Sequence, residues 1–191
     1  MPKSAKAKIR ILDTASQVFY KNGYRSTGVD FIAKSVGVTK ATLYHHFKNK
    51  DELIEESLKY LSEFHRGEYI KAWNKKGLSA KAKLTILFDE MHKFFKNKNC
   101  YGCPFINAAG EYTERDSAVR KICESHYKFL LNNLEQFARD ANLSKPSIVA
   151  EQIASCINGA YTAWFVGGIK QAAKEGKKTA ELIIANHATK K

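Results

Sequence analysis

The pattern of apolar and polar positions is helical along nearly the whole chain. Apolar residues recur at every third or fourth position, strand-like alternation is absent from the sequence, and only three prolines occur, at Pro2, Pro104 and Pro146. The predicted fold class is therefore all-α. We predict helices at about residues 5–22, 51–75, 79–96, 104–113, 116–142, 147–174 and 178–188, with two short helices between the first two of these.

The part of the chain between the first two of these helices has the sequence pattern of a helix-turn-helix. Thr27 is expected to cap a short second helix, Gly37 suits the left-handed conformation of a tight turn, and Thr39 is expected to cap a third helix of barely two turns. A helix this short is not stable alone. Leu43 and Phe47 are therefore expected to pack onto the first two helices, which leaves the polar face of the third helix free to enter a DNA groove.

Basic side chains are concentrated at the amino-terminal end. Residues 1–50 contain ten Lys or Arg and only two Asp, so this quarter of the chain carries +8 of the formal net charge of +13. Such an uneven distribution indicates a polyanionic partner, since a need for solubility alone does not explain it. Lys48, next to the third helix, is a candidate phosphate contact from its charge and position alone.

A resemblance to a known family rests on one run of residues, G-Y-R-S-T-G-V-D-F-I-A-K-S-V-G-V-T-K-A-T-L-Y-H-H-F-K-N-K-D-E-L. This run is similar to the N-terminal DNA-binding domain of the TetR family of transcriptional repressors, notably in its I-A pair, its G-V-T turn, its T-L-Y-x-H-F segment and its K-x-E-L ending. The similar part is about the first quarter of the chain. The resemblance implies DNA contacts at Thr27, Thr39, Lys40, Ala41, Thr42, Tyr44, His45, His46 and Lys50.

The resemblance also implies an overall architecture. A three-helix DNA-binding head, residues 1–50, precedes a larger helical ligand-binding and dimerisation domain, residues 51–191, in which the helix 51–76 is the connector. The resemblance further implies an Ω-shaped homodimer that binds palindromic operator DNA and is released by a small-molecule effector, with the last two long helices forming a four-helix interface. The sequence leaves open which effector is bound and whether the protein represses or activates.

The predicted eighth helix supports a dimer independently of the resemblance. It is apolar over more than one stripe, as expected for a helix that faces both a core and a partner. The alternative is a central helix that is buried wholly within one protomer. Small residues that would allow a partner helix to approach closely are Ser155, Gly159, Ala160, Ala163 and Gly167.

Large apolar side chains are abundant in helices five to eight, and most of them are expected to form the core. If an effector pocket lies among them, tyrosine and tryptophan are the preferred lining residues, because each adds a polar group to an apolar ring. The candidate ligand-binding residues are Phe88, Met91, Phe95, Cys103, Phe105, Tyr112, Tyr127, Tyr161 and Trp164.

The most distinctive segment of the second half is C-Y-G-C-P-F-I-N-A-A-G-E, residues 100–111. Some TetR-type regulators have a similar G-C-x-x-x-N-x-x-x-E segment, and certain of those sense electrophiles or oxidants. A thiol at a helix N-terminus is stabilised as the thiolate, so Cys103 is a redox candidate with Cys100 as its resolving thiol. A thiol-based regulator is therefore the alternative function, whereas the simpler interpretation is that Cys103 only caps and packs.

Two remoter interpretations are a zinc-binding protein and a small enzyme. Cys100-x-x-Cys103 and Cys123-x-x-His126 have the spacing of zinc ligands. Because Cys123 lies on an apolar register, however, we expect a packed Cys123, a surface His126 and no metal. The sequence has no nucleophile elbow, phosphate loop or dinucleotide fingerprint, so we expect neither catalysis nor a cofactor.

No apolar run approaches the roughly 18 residues that a membrane span requires, and the N-terminus lacks the hydrophobic core of a signal peptide. We therefore expect a cytoplasmic protein without a membrane partner. Its four cysteines are then expected to be thiols and not a disulfide framework.

Overall fold

The computed structural model of the chain describes residues 3–189, with side chains from residue 5 onward. Over these residues the fold is all-α, as predicted. The helices are α1 Lys3–Asn22, α2 Val29–Val36, α3 Lys40–His46, α4 Lys50–Trp73, α5 Ala80–Phe94, α6 Pro104–Glu111, α7 Ala118–Asp140, α8 Pro146–Phe165 and α9 Ala172–Asn186.

The contacts between residues divide this structure into two compact units. The head unit consists of residues 3–65 and 104–126, and the body unit consists of residues 66–103 and 127–189. Helices α4 and α7 therefore contribute residues to both units. The predicted domain boundary after residue 50 stays a prediction, but these contacts group α6 and the first turns of α7 with the head.

The core of the head unit is formed by the apolar faces of its helices. Ile11 of α1, Ile32 of α2, Leu43 of α3 and Ile54 of α4 are each at most 1% exposed. Burying a side chain of this size stabilises the fold by about 1.5–3 kcal/mol. The hydrophobic periodicity thus accounts for how the short helices α2 and α3 are held.

Three positions of the head unit do not follow the hydrophobic periodicity. The apolar side chains of Ile9 in α1 and Phe64 in α4 are 39% and 57% exposed. The buried face of α4 includes Ser57 and Ser62, whose small hydroxyl side chains gave no hydrophobic signal. His126, expected on the surface, is 5% exposed.

The core of the body unit is formed by α5, α8, α9 and the second part of α7, together with the end of α4. Helix α9 packs against both α8 and α5. Burial of apolar side chains between these helices is the main source of their stability. The core residues that are at most 1% exposed are Leu84 and Phe88 of α5, Leu134 and Ala138 of α7, Val149, Ile153 and Ala154 of α8, and Ala173 and Ala180 of α9.

Helix α8 ends earlier and α9 begins earlier than the sequence predicted. Gly168 adopts a left-handed φ of 64°, and its N–H donates to the carbonyl of Trp164 at 3.0 Å. A Cβ at Gly167 would lie 2.8 Å from the carbonyl oxygen of Ala163. The two glycines therefore terminate α8, and close approach of a partner helix at Gly167 stays a prediction.

None of the helices in residues 3–189 is long and apolar enough to cross a membrane. All four cysteines lie in this range.

Candidate nucleic-acid interface

The helix-turn-helix of the head unit consists of α2, a turn at Gly37 and α3. Gly37 ends α2 with φ of 75° and ψ of 40°, the left-handed conformation predicted for it. Its N–H donates to the carbonyls of Ala33 and Lys34, at 3.0 and 3.2 Å, and the N–H of Val38 also donates to Ala33, at 3.0 Å. The turn therefore satisfies the last carbonyl groups of α2 and redirects the chain at once into α3.

Helix α3 is capped and anchored as predicted. The Oγ1 atom of Thr39 accepts the N–H of Thr42 at 3.1 Å. Leu43 and Phe47 are 1% and 2% exposed, so two apolar side chains hold a helix of only seven residues, well below the roughly 12–15 residues needed for an isolated helix. The predicted DNA contacts on and beside its outer face are exposed (Thr39, Lys40, Ala41, Tyr44, His45 and Lys48) or partly exposed (Thr42, His46 and Lys50).

Two contacts within the head organise this outer face. The Nζ atom of Lys40 lies 3.1 Å from the carboxylate of Asp30, and both side chains are more than half exposed. The rings of His45 and His46 meet edge to face, with centroids 5.2 Å apart. An exposed ion pair contributes roughly 0–1 kcal/mol, so a phosphate group can replace Asp30 as the partner of Lys40 at little cost.

The corner between α3 and α4 has a defined shape. Asn49 caps α4, since its Oδ1 atom accepts the N–H of Glu52 at 2.8 Å, and the carboxylate of Glu52 accepts the N–H of Lys48. The Asn-x-x-Glu spacing is the sequence signature of such a cap, and the sequence analysis did not use it. The Nζ atom of Lys50 donates to the carbonyl of Arg25 at 2.6 Å. Both predicted lysine contacts at this corner are therefore held by hydrogen bonds, Lys48 through its backbone N–H and Lys50 through its ammonium group.

Thr27 is the exception among the predicted DNA contacts. It is 4% exposed, and its hydroxyl donates to the carbonyl of Gly23 at 2.5 Å. Gly28 occupies the cap position of α2, without a side-chain cap bond from any described residue. The predicted capping role of Thr27 was therefore wrong, because its hydroxyl closes the preceding turn instead. A DNA contact at Thr27 stays a prediction.

The turn between α1 and α2 is held by residues that are remote in sequence. The ring of Tyr24 stacks on Phe19 with centroids 5.7 Å apart, and its hydroxyl donates to the carbonyl of Pro104 at 3.3 Å. The carboxylate of Glu111, at the end of α6, accepts backbone N–H groups of Tyr24 and Arg25. The sequence analysis assigned neither Arg25 nor Glu111 to the DNA site. No local signal could have done so, because the two residues are 86 positions apart.

The predicted ligand-binding residues are divided between the two units. In the body unit, Phe95 stacks on Trp164 with centroids 4.8 Å apart and meets Tyr161 edge to face at 5.4 Å. These contacts are those of a packed aromatic cluster, and a ligand-binding role for it stays a prediction. The other candidates in the body unit are Phe88 and Met91, which are buried, Cys103, which is partly exposed, and Tyr127, which is exposed.

Two candidates, Phe105 and Tyr112, lie in the head unit. Phe105 stacks on His126 with centroids 3.7 Å apart, and the Nδ1 atom of this histidine hydrogen-bonds to the hydroxyl of Ser62 at 2.9 Å. The ring of Tyr112 lies 4.6 Å from the guanidinium carbon of Arg25, and burial raises the pKa of its phenol. The burial of His126 thus has a physical reason, because the imidazole has both an aromatic neighbour and a polar partner.

The structure offers no support for the zinc interpretation. Within the described part of the chain, no three His, Cys, Asp or Glu side chains are grouped so that they could hold a metal ion. Cys123 is buried, as expected for a packed residue.

Comparison with known proteins places this arrangement in a family. The family model of the bacterial regulatory proteins of the tetR family matches residues 11–57, a range that contains α2, the turn at Gly37 and α3. This part of the chain belongs to the TetR family.

The similarity to an individual curated relative covers less than half of the chain. IcaR of Staphylococcus aureus (strain Newman), a biofilm operon icaADBC HTH-type negative transcriptional regulator, is 37% identical over 82 residues, which are 43% of this chain and 44% of IcaR. The similarity in fold to solved structures covers nearly the whole chain. A TetR-family regulator from Streptomyces coelicolor has a TM-score of 0.90 at 23% identity, over 97% of both chains. Escherichia coli NemR in its reduced form has a TM-score of 0.83 at 16% identity, over 96% of this chain and 100% of NemR. At these identities the likeness concerns the fold alone.

Proposed function

We propose that the protein is a transcriptional repressor that binds palindromic operator DNA as a homodimer and is released by a small-molecule effector. The observation that carries the DNA-binding part is the exposed polar face of α3, on a helix anchored by Leu43 and Phe47 in the most basic part of the chain. Negative regulation is favoured over activation because IcaR is a negative transcriptional regulator. The family is one of regulators, so no enzymatic activity is proposed.

DNA binding is tested with a duplex that the full-length protein selects from a random library. Its affinity should fall steeply with salt, since each neutralised phosphate contributes about −0.9 to the slope of log K against log salt. Lys50→Gln should reduce the magnitude of this negative slope by about one. Lys71→Gln removes the same charge from an exposed position of the body unit and should leave the slope unchanged. If no duplex is selected, or if the two variants behave alike, the proposed interface is wrong.

Repression is tested separately from binding. With the selected sequence placed across a promoter, addition of the protein should lower the yield of transcript in a purified transcription system. An increase would assign the protein to the activators.

Support for a homodimer comes from exposed apolar side chains on α8, α9 and the segment between them. Exposed large apolar side chains mark interaction sites where they adjoin, and a dimeric reader places two recognition helices about 34–36 Å apart. Leu182→Glu should convert the dimer to a monomer in sedimentation equilibrium, whereas Ile70→Glu, at an exposed position of α4, should not. A dimeric Leu182→Glu variant would contradict this interface. The exposed residues are Ile148 (41%), Phe165 (50%), Val166 (78%), Ile169 (51%) and Leu182 (66%).

Support for an effector site comes from Trp73 in the body unit. This residue is 2% exposed, and its indole N–H has no hydrogen-bond partner among the described residues. The rings of Tyr69, Phe129 and Phe137 surround it, with centroids at 5.8, 6.2 and 5.2 Å. Unpaired buried donors are rare in folded proteins, so we propose that the indole binds an acceptor atom of an apolar or aromatic effector.

The effector site is tested by a thermal-shift screen of aromatic acids and ketones. Compounds that raise the melting temperature should also quench tryptophan fluorescence and release the selected duplex. Trp73→Phe keeps an aromatic ring but removes the donor, and it should weaken these compounds. Equal affinity of the variant and the wild type would exclude the indole as a contact.

Thiol sensing at Cys103 is the second candidate function. The partly exposed residue Cys103 directly precedes α6, and Cys100 lies three residues earlier in the sequence. Burial raises the pKa of the Tyr69 phenol, and the nearby Cys103 raises it further, so Tyr69 remains a neutral phenol beside this cysteine.

The test compares release of DNA by peroxide or an aldehyde in two variants. Cys103→Ser should no longer respond. Cys156→Ser is the control, because it removes another partly exposed thiol whose pKa is raised by burial. A Cys103→Ser variant that responds normally would remove the thiol hypothesis.

A further inference from the structure

We infer that Glu111 is a positioning residue for DNA binding. Its carboxylate fixes the turn between α1 and α2, and this turn holds the side chain of Lys50. The inference rests on the proposed function and extends it, because it assigns part of the DNA site to α6. Three features support it: the geometry of the carboxylate, the second contact made by Arg25, and the contrast with Glu114.

The carboxylate of Glu111 accepts from two consecutive backbone N–H groups. The nitrogen of Tyr24 lies 2.9 Å from each of its oxygens, and the nitrogen of Arg25 lies 2.7 Å from Oε2. Hydrogen bonds to an ionised acceptor are roughly twice as strong as those between neutral groups. The fit around the turn is close, since a Cβ at Gly23 would lie 3.4 Å from Oε1 of Glu111 and 2.7 Å from the hydroxyl of Ser26. The carboxylate thus fixes the position of the peptide groups of the turn.

The same turn holds Lys50 through Arg25. The N–H of Arg25 donates to Glu111, while its carbonyl accepts from the Nζ atom of Lys50 at 2.6 Å. A lysine ammonium has three donors, so one of them is used by the turn and two remain for a phosphate group. The hydroxyl of Thr27 closes the other end of the turn on Gly23. A displacement of the turn would therefore displace the Lys50 ammonium.

Glu114 provides a matched comparison. It also carries a carboxylate and also contacts Arg25, but it does so through the guanidinium at 3.2 Å, with both side chains more than half exposed. An exposed pair of this kind contributes little, because water competes for both groups. Of these two carboxylates, that of Glu111 is the one that contacts the backbone of Arg25, the residue whose carbonyl holds Lys50.

The experiment measures binding of full-length variants to the selected duplex, after circular dichroism has shown that each variant is folded. Glu111→Ala should weaken binding by about tenfold, and Glu114→Ala by less than about twofold. The double variant Glu111→Ala, Lys50→Gln is decisive. If Glu111 acts through Lys50, the double variant binds within about threefold of Lys50→Gln alone. A merely structural role would instead give additive losses.

The outcomes separate this inference from the proposed function. Additive losses, or a Glu111→Ala variant that binds like the wild type, overturn the inference and leave the proposed function intact. A wild-type protein that selects no duplex overturns both. If Glu111→Ala does not fold, hydrogen exchange of Glu111→Gln decides. The amides of Tyr24 and Arg25 should then exchange at least about tenfold faster than in the wild type, with the amide of Gly37 unchanged. Equal exchange in the two proteins overturns the inference.

Discussion

Replacing Gly37 by alanine should destabilise the head unit without removing a contact. At a φ of 75° and a ψ of 40°, the Cβ of an L-residue lies too close to a carbonyl oxygen, which costs about 1–2 kcal/mol. Apart from Gly37 itself and its two chain neighbours, no heavy atom of the described residues lies within 4 Å of a Cβ built at Gly37, so a clash with another part of the structure adds nothing. The expected loss of unfolding free energy is therefore about 1–2 kcal/mol. Gly37→Asn should lose less, because asparagine adopts this conformation more readily.

Gly28 at the other end of α2 is the matched control. It also has open space around its Cβ position within the described structure, but its φ of −77° and ψ of 149° are ordinary for any residue. Gly28→Ala restricts the unfolded chain, a gain of about 0.4–1 kcal/mol, and loses part of the cap preference of glycine. These terms oppose each other, so the net change should stay within roughly 0.5 kcal/mol.

The assay must report on the head unit. Both tryptophans of the chain, Trp73 and Trp164, lie in the body unit, so tryptophan fluorescence does not follow unfolding of the head. Urea unfolding followed by far-UV circular dichroism is therefore the measurement, since the two units can unfold separately. Equal stability of Gly37→Ala and Gly28→Ala would refute the strain argument. A loss above about 4 kcal/mol would show that a contact, and not strain, is responsible.

Further predictions concern the anchor of α3, acid stability and the unpaired indole. Leu43→Ala should cost about 2–5 kcal/mol in urea unfolding and weaken DNA binding more than Thr42→Ala does. The pKa of the Glu90 carboxyl is lowered, chiefly by the hydrogen bond from Lys75. The ionised carboxylate therefore stabilises the folded protein fully above the ordinary pKa of 4.5, and this contribution is lost as the pH falls through the lower pKa of the folded state. Glu90→Gln should therefore lose less stability on acidification than the wild type, by under about 1 kcal/mol because the side chain is 36% exposed and water screens the ion pair. Trp73→Phe should cost less than about 1 kcal/mol in thermal unfolding, because removing an unpaired donor offsets the lost apolar area. A large loss in this variant would mean that the indole N–H has a partner.

The features of the head that the sequence predicted correctly depend on residues close together in the chain. The turn at Gly37, the cap by Thr39 and the anchoring pair Leu43 and Phe47 each involve atoms only a few positions apart. Helical periodicity also indicates which face of a helix is buried. These local rules were sufficient to define α3 and its exposed face.

The features that were missed need information that the local pattern does not contain. Ser57 and His126 are buried although neither is apolar, because a small hydroxyl fits a helix interface and an imidazole can stack on a ring. Gly167 and Gly168 are compatible with either close helix packing or a helix end, and only the backbone angles distinguish the two. Packed aromatic residues and pocket-lining ones have the same sequence signature, so the ligand-binding candidates stay predictions.

Glu111 shows why the DNA site extends beyond the segment that the family shares. Residues 11–57 contain every predicted DNA contact, yet the carboxylate that fixes the α1–α2 turn lies outside this range. Its donors are backbone N–H groups, which have no sequence signature, so any acidic residue could have been their partner. A fragment ending at residue 57 would lack both Glu111 and the Pro104 carbonyl that accepts from Tyr24. We therefore expect this fragment to leave the turn unprotected in hydrogen exchange. Slow exchange at Tyr24 and Arg25 in the isolated fragment would show that the turn is stable without α6.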